Sequence, residues 1–259
     1  MVILSGFSFS TQMNDNEAST LYNDLDNFDE PSSSYVDPLV IVIEPLQAEE
    51  ALPEEPVMPK SLDEVYSYAG LIELKEVDSS FVLDIKNATT DNITGKVQYD
   101  HNLCLINIDA AKALMKAQEL AMADGYRIKI WDAYRPTSVQ SAMNKSLPAD
   151  KKHFVPAPSN SSQHNRGIAV DVTLVDANGN ELDMPTGYCE FTDATHANYK
   201  GAAKIQTKNR EYLKSIMTKA GFKVLEIEWW HYYLPSYKDY EQLDLKFDDY
   251  LKYRENNSI

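Results

Sequence analysis

Two cysteines in 259 residues, Cys104 and Cys189, are too few for a disulfide framework, and with no CxxC pair or Cys/His cluster they form no metal-binding set. They read as buried or incidental side chains, with a single disulfide between them as the alternative. Basic residues are also short in supply. Lys and Arg number 24 against 40 Asp and Glu, a formal net charge of -16. Such a surface cannot neutralise nucleic-acid phosphates or adhere to anionic lipid, and it suits a cationic or zwitterionic small partner better. No apolar run is long enough to span a membrane, and no internal repeat is visible. The opening MVILSGFSFSTQ has no Lys or Arg and no small-residue cleavage site, so it is a poor secretory signal. A cytoplasmic protein is expected, with export as the alternative if the natural chain carries a leader that this sequence lacks.

The shortage of basic residues is concentrated at one end. Residues 1 to 60 hold 12 Asp and Glu, one basic residue (Lys60) and half of the 12 prolines. A segment so polar cannot bury a core of its own, which predicts an acidic, largely irregular N-terminal arm over 1–60. Within it, PLVIVIEPL suits a short edge strand. A folded domain is predicted over 61–259. FVLDIK, YRIKIWDAY, IAVDVTLVD and FKVLEIEWWHYYL have strand character. NIDAAKALMKAQELAMADG, TSVQSAMNKSL and NREYLKSIMTKAG have helical character, and Gly125 and Gly221 stop the first and last of these. Strands mixed with a few helices, joined by tight turns and long loops, predict an α+β domain whose central, mainly antiparallel sheet is flanked by helices.

Only five histidines are available: His101, His153, His164, His196 and His231. His164 precedes a glycine turn and the strand bearing Asp171, and His231 lies in EIEWWHYYL with Glu228. Two imidazoles and a carboxylate fill three corners of a tetrahedral metal site and leave the fourth for water, the pattern of a catalytic ion. Spacing alone leaves another reading open, with His231 a half-buried sheet residue, Glu228 a solvated carboxylate and the tryptophans core. In an ideal strand residues three apart face opposite ways, so Glu228 and His231 share a pocket only if the strand bends or ends between them. Asp171 is equally open. On the buried face of IAVDVTL it needs a cation, and on the other face it meets solvent. Arg135 in WDAYRP, where Pro136 stops regular continuation, either serves a carboxylate or oxyanion or makes a surface ion pair.

Taken together, SQHNRGIAVD (Ser162-x-His164-x-x-Gly167-x-Ala169-x-Asp171), EWWH (Glu228, His231) and WDAYRP resemble, in content and order, the VanX-type D-alanyl-D-alanine dipeptidases. These are zinc peptidases of the wider D,D-carboxypeptidase and dipeptidase group. DNITGK, the helix before DGYRIKIWDAYRP, and NREYLKSIMTKAGF extend the similarity over about residues 65 to 235. The resemblance implies that His164, Asp171 and His231 ligate one zinc ion per chain, that Glu228 is the catalytic base and that Arg135 stabilises the transition state. It also implies that Tyr134 meets the substrate, that Ser162 touches the substrate or the neighbouring backbone, with a loop hydroxyl satisfying the turn before the strand as the alternative, that Trp229 and Trp230 are core packing and pocket wall first and substrate contact second, and that Asp132 supports Arg135. His196 matches a family histidine but is not taken as a zinc ligand.

One position departs from the family. Where the family has a phenylalanine-aspartate pair whose aspartate receives the substrate's ammonium, this chain has Tyr188-Cys189. A thiol is no permanent counter-ion near neutral pH, so either Glu190 or Asp193 takes that duty or the preference for a free N-terminus weakens. The expected reaction is zinc-dependent hydrolysis of D-Ala-D-Ala, in cell-wall precursor turnover or glycopeptide resistance. The alternatives are a D,D-carboxypeptidase or other peptidoglycan peptidase acting on longer stem peptides, and a non-catalytic module binding cell-wall peptide. Retention of Glu228 speaks against the last, since a binding module needs no base.

Overall fold

Apolar β-branched and aromatic segments build the sheets of this protein, and a computed structural model describes residues 60–157 and 162–257. The acidic arm and PLVIVIEPL lie outside the described residues. In chain order the elements are β1 (Ser67–Tyr68), β2 (Leu71–Glu73), α1 (Leu74–Val77), β3 (Val82–Leu83), β4 (Leu105–Asn107) and α2 (Ile108–Ala123). They continue with β5 (Arg127–Asp132), α3 (Thr137–Ser146), β6 (Ala169–Val175), α4 (Lys204–Ala220), β7 (Lys223–Leu225), β8 (Glu228–Tyr233) and α5 (Phe247–Asn257). The central sheet has the order β3-β5-β6-β8-β7, and a small second sheet has the order β1-β2-β4. Only β3 pairs in parallel, with β5, so the α+β architecture with a mainly antiparallel central sheet is the one read from the sequence.

Every residue of β6 is buried, as befits a central strand covered on both faces. Helix α2 packs on β5 through small side chains, Ala110, Ala111, Ala117 and Ala121, which let the helix backbone approach the strand closely. Gln118 on the same buried face accepts from Ile128 N at 2.8 Å and donates to Ser80 Oγ at 2.9 Å, so its burial leaves both ends satisfied. Helix α4 lies beside α2 and buries Leu213, Ile216 and Met217, each contributing about 1.5–3 kcal/mol. Its stop is Gly221, at φ 110°. Among the described residues no helix is long and apolar enough to cross a membrane.

Four features differ from the sequence reading. FKVLEIEWWHYYL is a hairpin, β7 and β8, turning at Glu226 and Ile227, because the aromatic run has to fold back to pair with both β7 and β6. FVLDIK yields only the two-residue β3, and α4 begins at Lys204, ahead of the expected NREYL start, with Gln206 Oε1 accepting from Ala203 N at 3.0 Å. The small sheet and α5 have no counterpart in the sequence reading. The two cysteines are free thiols, Cys104 in the core and Cys189 half-buried, so no disulfide joins them.

Candidate active site

Three adjacent strands carry the polar residues of the site in one transverse row. Asp132 on β5 pairs with Asp171 on β6, and Asp171 pairs with His231 on β8. Directly paired residues project to the same face of a sheet, so the register itself gathers these groups. An irregularity between Ile130 and Asp132 shifts the pairing by one residue and brings Asp132 into the row. All three are buried, so Asp171 does not face solvent.

His164 reaches the row from the loop before β6, in a single 3-10 turn (His164–Arg166) closed by Gly167. Gly167 has φ 69°, and a Cβ there would stand 2.5 Å from Leu71 Cδ2 and 3.1 Å from Asn107 N, so both conformation and space require glycine. His164 Nδ1 donates to Ala133 O at 2.6 Å, which leaves Nε2 with its lone pair facing the site. That nitrogen lies 3.1 Å from His231 Nδ1 and 3.4 Å from Asp171 Oδ1, and the latter two atoms are 3.0 Å apart. Ligands at about 2.0–2.1 Å from a tetrahedral ion stand about 3.3 Å from one another, so the three atoms fit such an ion. His231 Nε2, pointing away, is buried with no hydrogen-bond partner among the described residues. Burial alone would raise the pKa of Asp171, but His164 and His231 hold its carboxyl well below the usual range. Its other oxygen, Oδ2, accepts from Tyr188 OH at 3.3 Å.

Glu228 opens β8 where the pairing with β7 shifts register, opposite Leu225. That break lets residues three apart converge, and Glu228 Oε2 comes to 4.0 Å from His231 Nδ1. Burial pushes its carboxyl up to about 7, with His231 pulling down, Asp171 adding to the rise and Arg135 opposing it. Across the cleft, Arg135 donates through Nε (3.1 Å) and Nη2 (2.5 Å) to Asp132 Oδ2 and through Nη1 to Gln140 Oε1 (2.6 Å). Burial works against this guanidinium, but Asp132 more than offsets it and keeps the group cationic. Asp132 is itself held by Asn87 Nδ2 at 2.9 Å and Tyr99 OH at 3.2 Å.

Arg135, Ser162, His164, Glu228 and His231 line one cleft of about 240 Å³, whose rim carries Phe154 and the exposed Ile227. Trp230 is buried against Trp131, Trp229 and Tyr188 and walls a smaller chamber behind Glu228. Three expected contacts lie elsewhere. Tyr134 turns away from the side taken by Arg135, its hydroxyl donating to Leu245 O and accepting from Leu245 N, because neighbours in an extended chain project oppositely. Glu190 is exposed and accepts from Gly187 N at 3.1 Å, closing its own turn, and Asp193 is exposed at the start of the 3-10 turn Asp193–Thr195. Neither carboxylate lines the cleft. His196 is exposed outside the site. Asn87, Tyr99, Gln140 and Tyr188 belong to the network and were missed. Asn87 and Tyr99 come from 45 and 33 residues before Asp132, a separation that no local pattern records.

The profile of the Peptidase M15 family, described as D-ala-D-ala dipeptidase, matches residues 67–251. The D-alanyl-D-alanine dipeptidase of Escherichia coli (strain K12) is 36% identical over 181 residues, covering 70% of this chain and 93% of the relative. That of Enterococcus faecium is 33% identical over 184 residues, covering 64% and 91%. Among solved structures, the vancomycin resistance D,D-pentapeptidase VanY from a VanB-type cassette, in complex with Zn(II), gives a TM-score of 0.32 at 19% identity, covering 50% of this chain and 72% of that one. With the match running from β1 into α5 and spanning every strand that bears the site, the chain belongs to the Peptidase M15 family.

Proposed function

We propose that this protein is a zinc dipeptidase that hydrolyses D-Ala-D-Ala. The observation that carries the reading is a carboxylate outside the ligand set, Glu228, placed beside three convergent ligand atoms with a fixed guanidinium across the same cleft. His164 Nε2, Asp171 Oδ1 and His231 Nδ1 would hold the ion. Zinc, when bound there, supplies a Lewis acid that polarises the scissile carbonyl and lowers the pKa of a water towards neutrality.

The remaining chemistry falls to the chain. Glu228 takes a proton from the attacking water as the new C–O bond forms, and delivers it to the leaving nitrogen when the tetrahedral centre collapses and the peptide C–N bond breaks. Its raised pKa suits a group that must accept and then give up a proton, and a cation nearby draws it back towards the carboxylate form that starts the cycle. Arg135 stabilises the negative charge developing on the carbonyl oxygen, and Asp132 and Gln140 fix the plane of its guanidinium. Ser162, buried on the cleft wall, contacts the substrate. The deciding experiment compares free D-Ala-D-Ala with a muropeptide ending in D-Ala-D-Ala, each with and without a chelator. Chelator-sensitive release of D-Ala from the dipeptide is expected. Cleavage of the muropeptide alone would replace this reading with that of a D,D-carboxypeptidase.

A further inference from the structure

One wall of the cleft belongs to no strand or helix. Residues 154–156 present Phe154 and Pro156 to the chamber that also holds Arg135, His164 and Glu228. Among the described residues their one bond between main-chain groups, from Phe154 N to Lys151 O at 3.1 Å, is local. Side chains fix the segment instead. Asn144 Nδ2 donates to Val155 O and Gln140 Nε2 to Pro156 O, each at 2.8 Å, from positions four apart on one face of α3. Val155 packs with Met143 and Leu147, and the ring of Phe154 stacks on Phe191 with centroids 3.8 Å apart.

Gln140 is the member of this set that also touches Arg135. Its amide can face only one way, since a guanidinium only donates and a proline carbonyl only accepts. Oε1 therefore accepts from Arg135 Nη1 at 2.6 Å while Nε2 holds Pro156 O. The residue is 1% exposed, so bulk water does not compete for either partner. A buried donor left unmet is costly, so if Pro156 O shifts, the amide turns to follow it and carries Oε1 away from Nη1. The two bonds are made or broken together. Building on the dipeptidase reading, we propose that Gln140 is a positioning residue that ties the aim of the Arg135 guanidinium to the placement of the 154–156 wall. Asp132 holds the Nε and Nη2 edge of the fork, and Gln140 sets the remaining arm by reference to the wall on which a substrate packs. Binding energy gained against Phe154 is thereby realised at Arg135 in the transition state, in kcat as well as in KM.

The test uses the zinc-loaded full-length enzyme, steady-state hydrolysis of D-Ala-D-Ala and a double-mutant cycle. Asn144 does not line the cleft, so Asn144→Leu reaches Arg135 only by loosening the wall. It is expected to raise KM and to lower kcat by about threefold, and Gln140→Met, which severs the link, to lower kcat by about tenfold, the size of a hydrogen bond to a charged group. In the Gln140→Met background, Asn144→Leu should still raise KM but leave kcat unaltered, because the wall then has no connection to Arg135. Two independent structural roles give the opposite result, the same factor in kcat with and without Gln140. That equal factor, or a kcat for Asn144→Leu within about 1.5-fold of wild type, overturns the proposal. Urea unfolding and zinc content are measured on every sample. Asn144→Asp, which keeps the size of the side chain and removes its donor, replaces Asn144→Leu should that variant fail to fold, and Gln140→Leu likewise replaces Gln140→Met. The link concerns Arg135 and not the length of the substrate. If wild type cleaves only the muropeptide, the dipeptidase reading falls and the same cycle on the muropeptide decides this inference. A zinc-loaded wild type that cleaves neither substrate overturns both.

Discussion

Arg135→Lys keeps the positive charge in the cleft and removes the guanidinium fork. Arginine spends three donors on its supports, Nε and Nη2 on Asp132 and Nη1 on Gln140. Lysine has one ammonium on a flexible stem, so an ammonium held by Asp132 cannot also be fixed by Gln140 and aimed at the reacting oxygen. Two of three hydrogen bonds to a charged group are lost, at about 1.5 kcal/mol each, which sets a ceiling of about 3 kcal/mol. Asp132 keeps Asn87 and Tyr99 as donors, so the expected loss of stability is smaller, about 1–2 kcal/mol. Catalysis should suffer more. A donor matched to charge that develops only in the transition state contributes about 2.7–4 kcal/mol, so kcat should fall about 10²–10³-fold with KM little changed. Steady-state hydrolysis of D-Ala-D-Ala, with zinc content and urea unfolding measured on the same sample, separates these effects. A folded, zinc-replete variant that turns over within about threefold of wild type would refute the role given to Arg135.

Three further substitutions probe other parts of the site. Glu228→Ala, with zinc retained, should lower kcat by about 10²–10⁴-fold, and undiminished turnover would remove Glu228 from the proton transfers. Gly167→Ala should lose about 2–4 kcal/mol in urea unfolding. The positive φ costs about 1–2 kcal/mol and the contacts with Leu71 and Asn107 about 1–3, less a small gain from a stiffer unfolded chain. A change under about 0.5 kcal/mol would show that the backbone accommodates the methyl freely. Tyr188→Phe removes the donor to Asp171 Oδ2 and should weaken zinc binding by about tenfold in a chelator competition, whereas unaltered affinity would mean that the 3.3 Å contact does not orient the ligand.

How far the sequence could be read depended on whether the signal was local. Helix α2 carries its own cap, Asn107 accepting from Asp109 N, and its own stop at Gly125, so its limits were visible in the residues themselves. The break at Glu226 and Ile227 was not, because EIEWWHYYL has no glycine, proline or asparagine to mark a turn. The convergence of Glu228 and His231 had been tied to a bend or strand end, and the strand start at Glu228 with its register shift meets that condition. His164, Gly167 and Asp171 were legible as a unit because a short loop and one strand hold all three. Tyr134, Glu190 and Asp193 were misplaced because the sequence places them near the site in the chain, while hydrogen bonds to Leu245 and Gly187, or simple exposure, set where they point.

The largest gap in the sequence reading, the C-terminal segment, also bears on the site. Leu243 N donates to Asn165 O at 2.8 Å, Leu243 O accepts from Thr137 N at 3.1 Å, and Asn165 Nδ2 donates to Arg135 O at 2.6 Å. Asp244 Oδ1 accepts from Ser138 N at 2.7 Å in the first turn of α3, and Arg254 on α5 pairs with Glu73 and Glu76. The loop of Arg135 and the loop of His164 are therefore tied both to each other and to one strand of backbone that the motifs never mention. A catalytic site gains from groups that need not reorganise as charge develops, and backbone hydrogen bonds at both loops provide that rigidity without occupying the cleft. Polar and weakly patterned, EQLDLKFDDYLKYREN looks like a tail because its contribution lies in main-chain donors and acceptors, which every residue type carries and no sequence pattern displays.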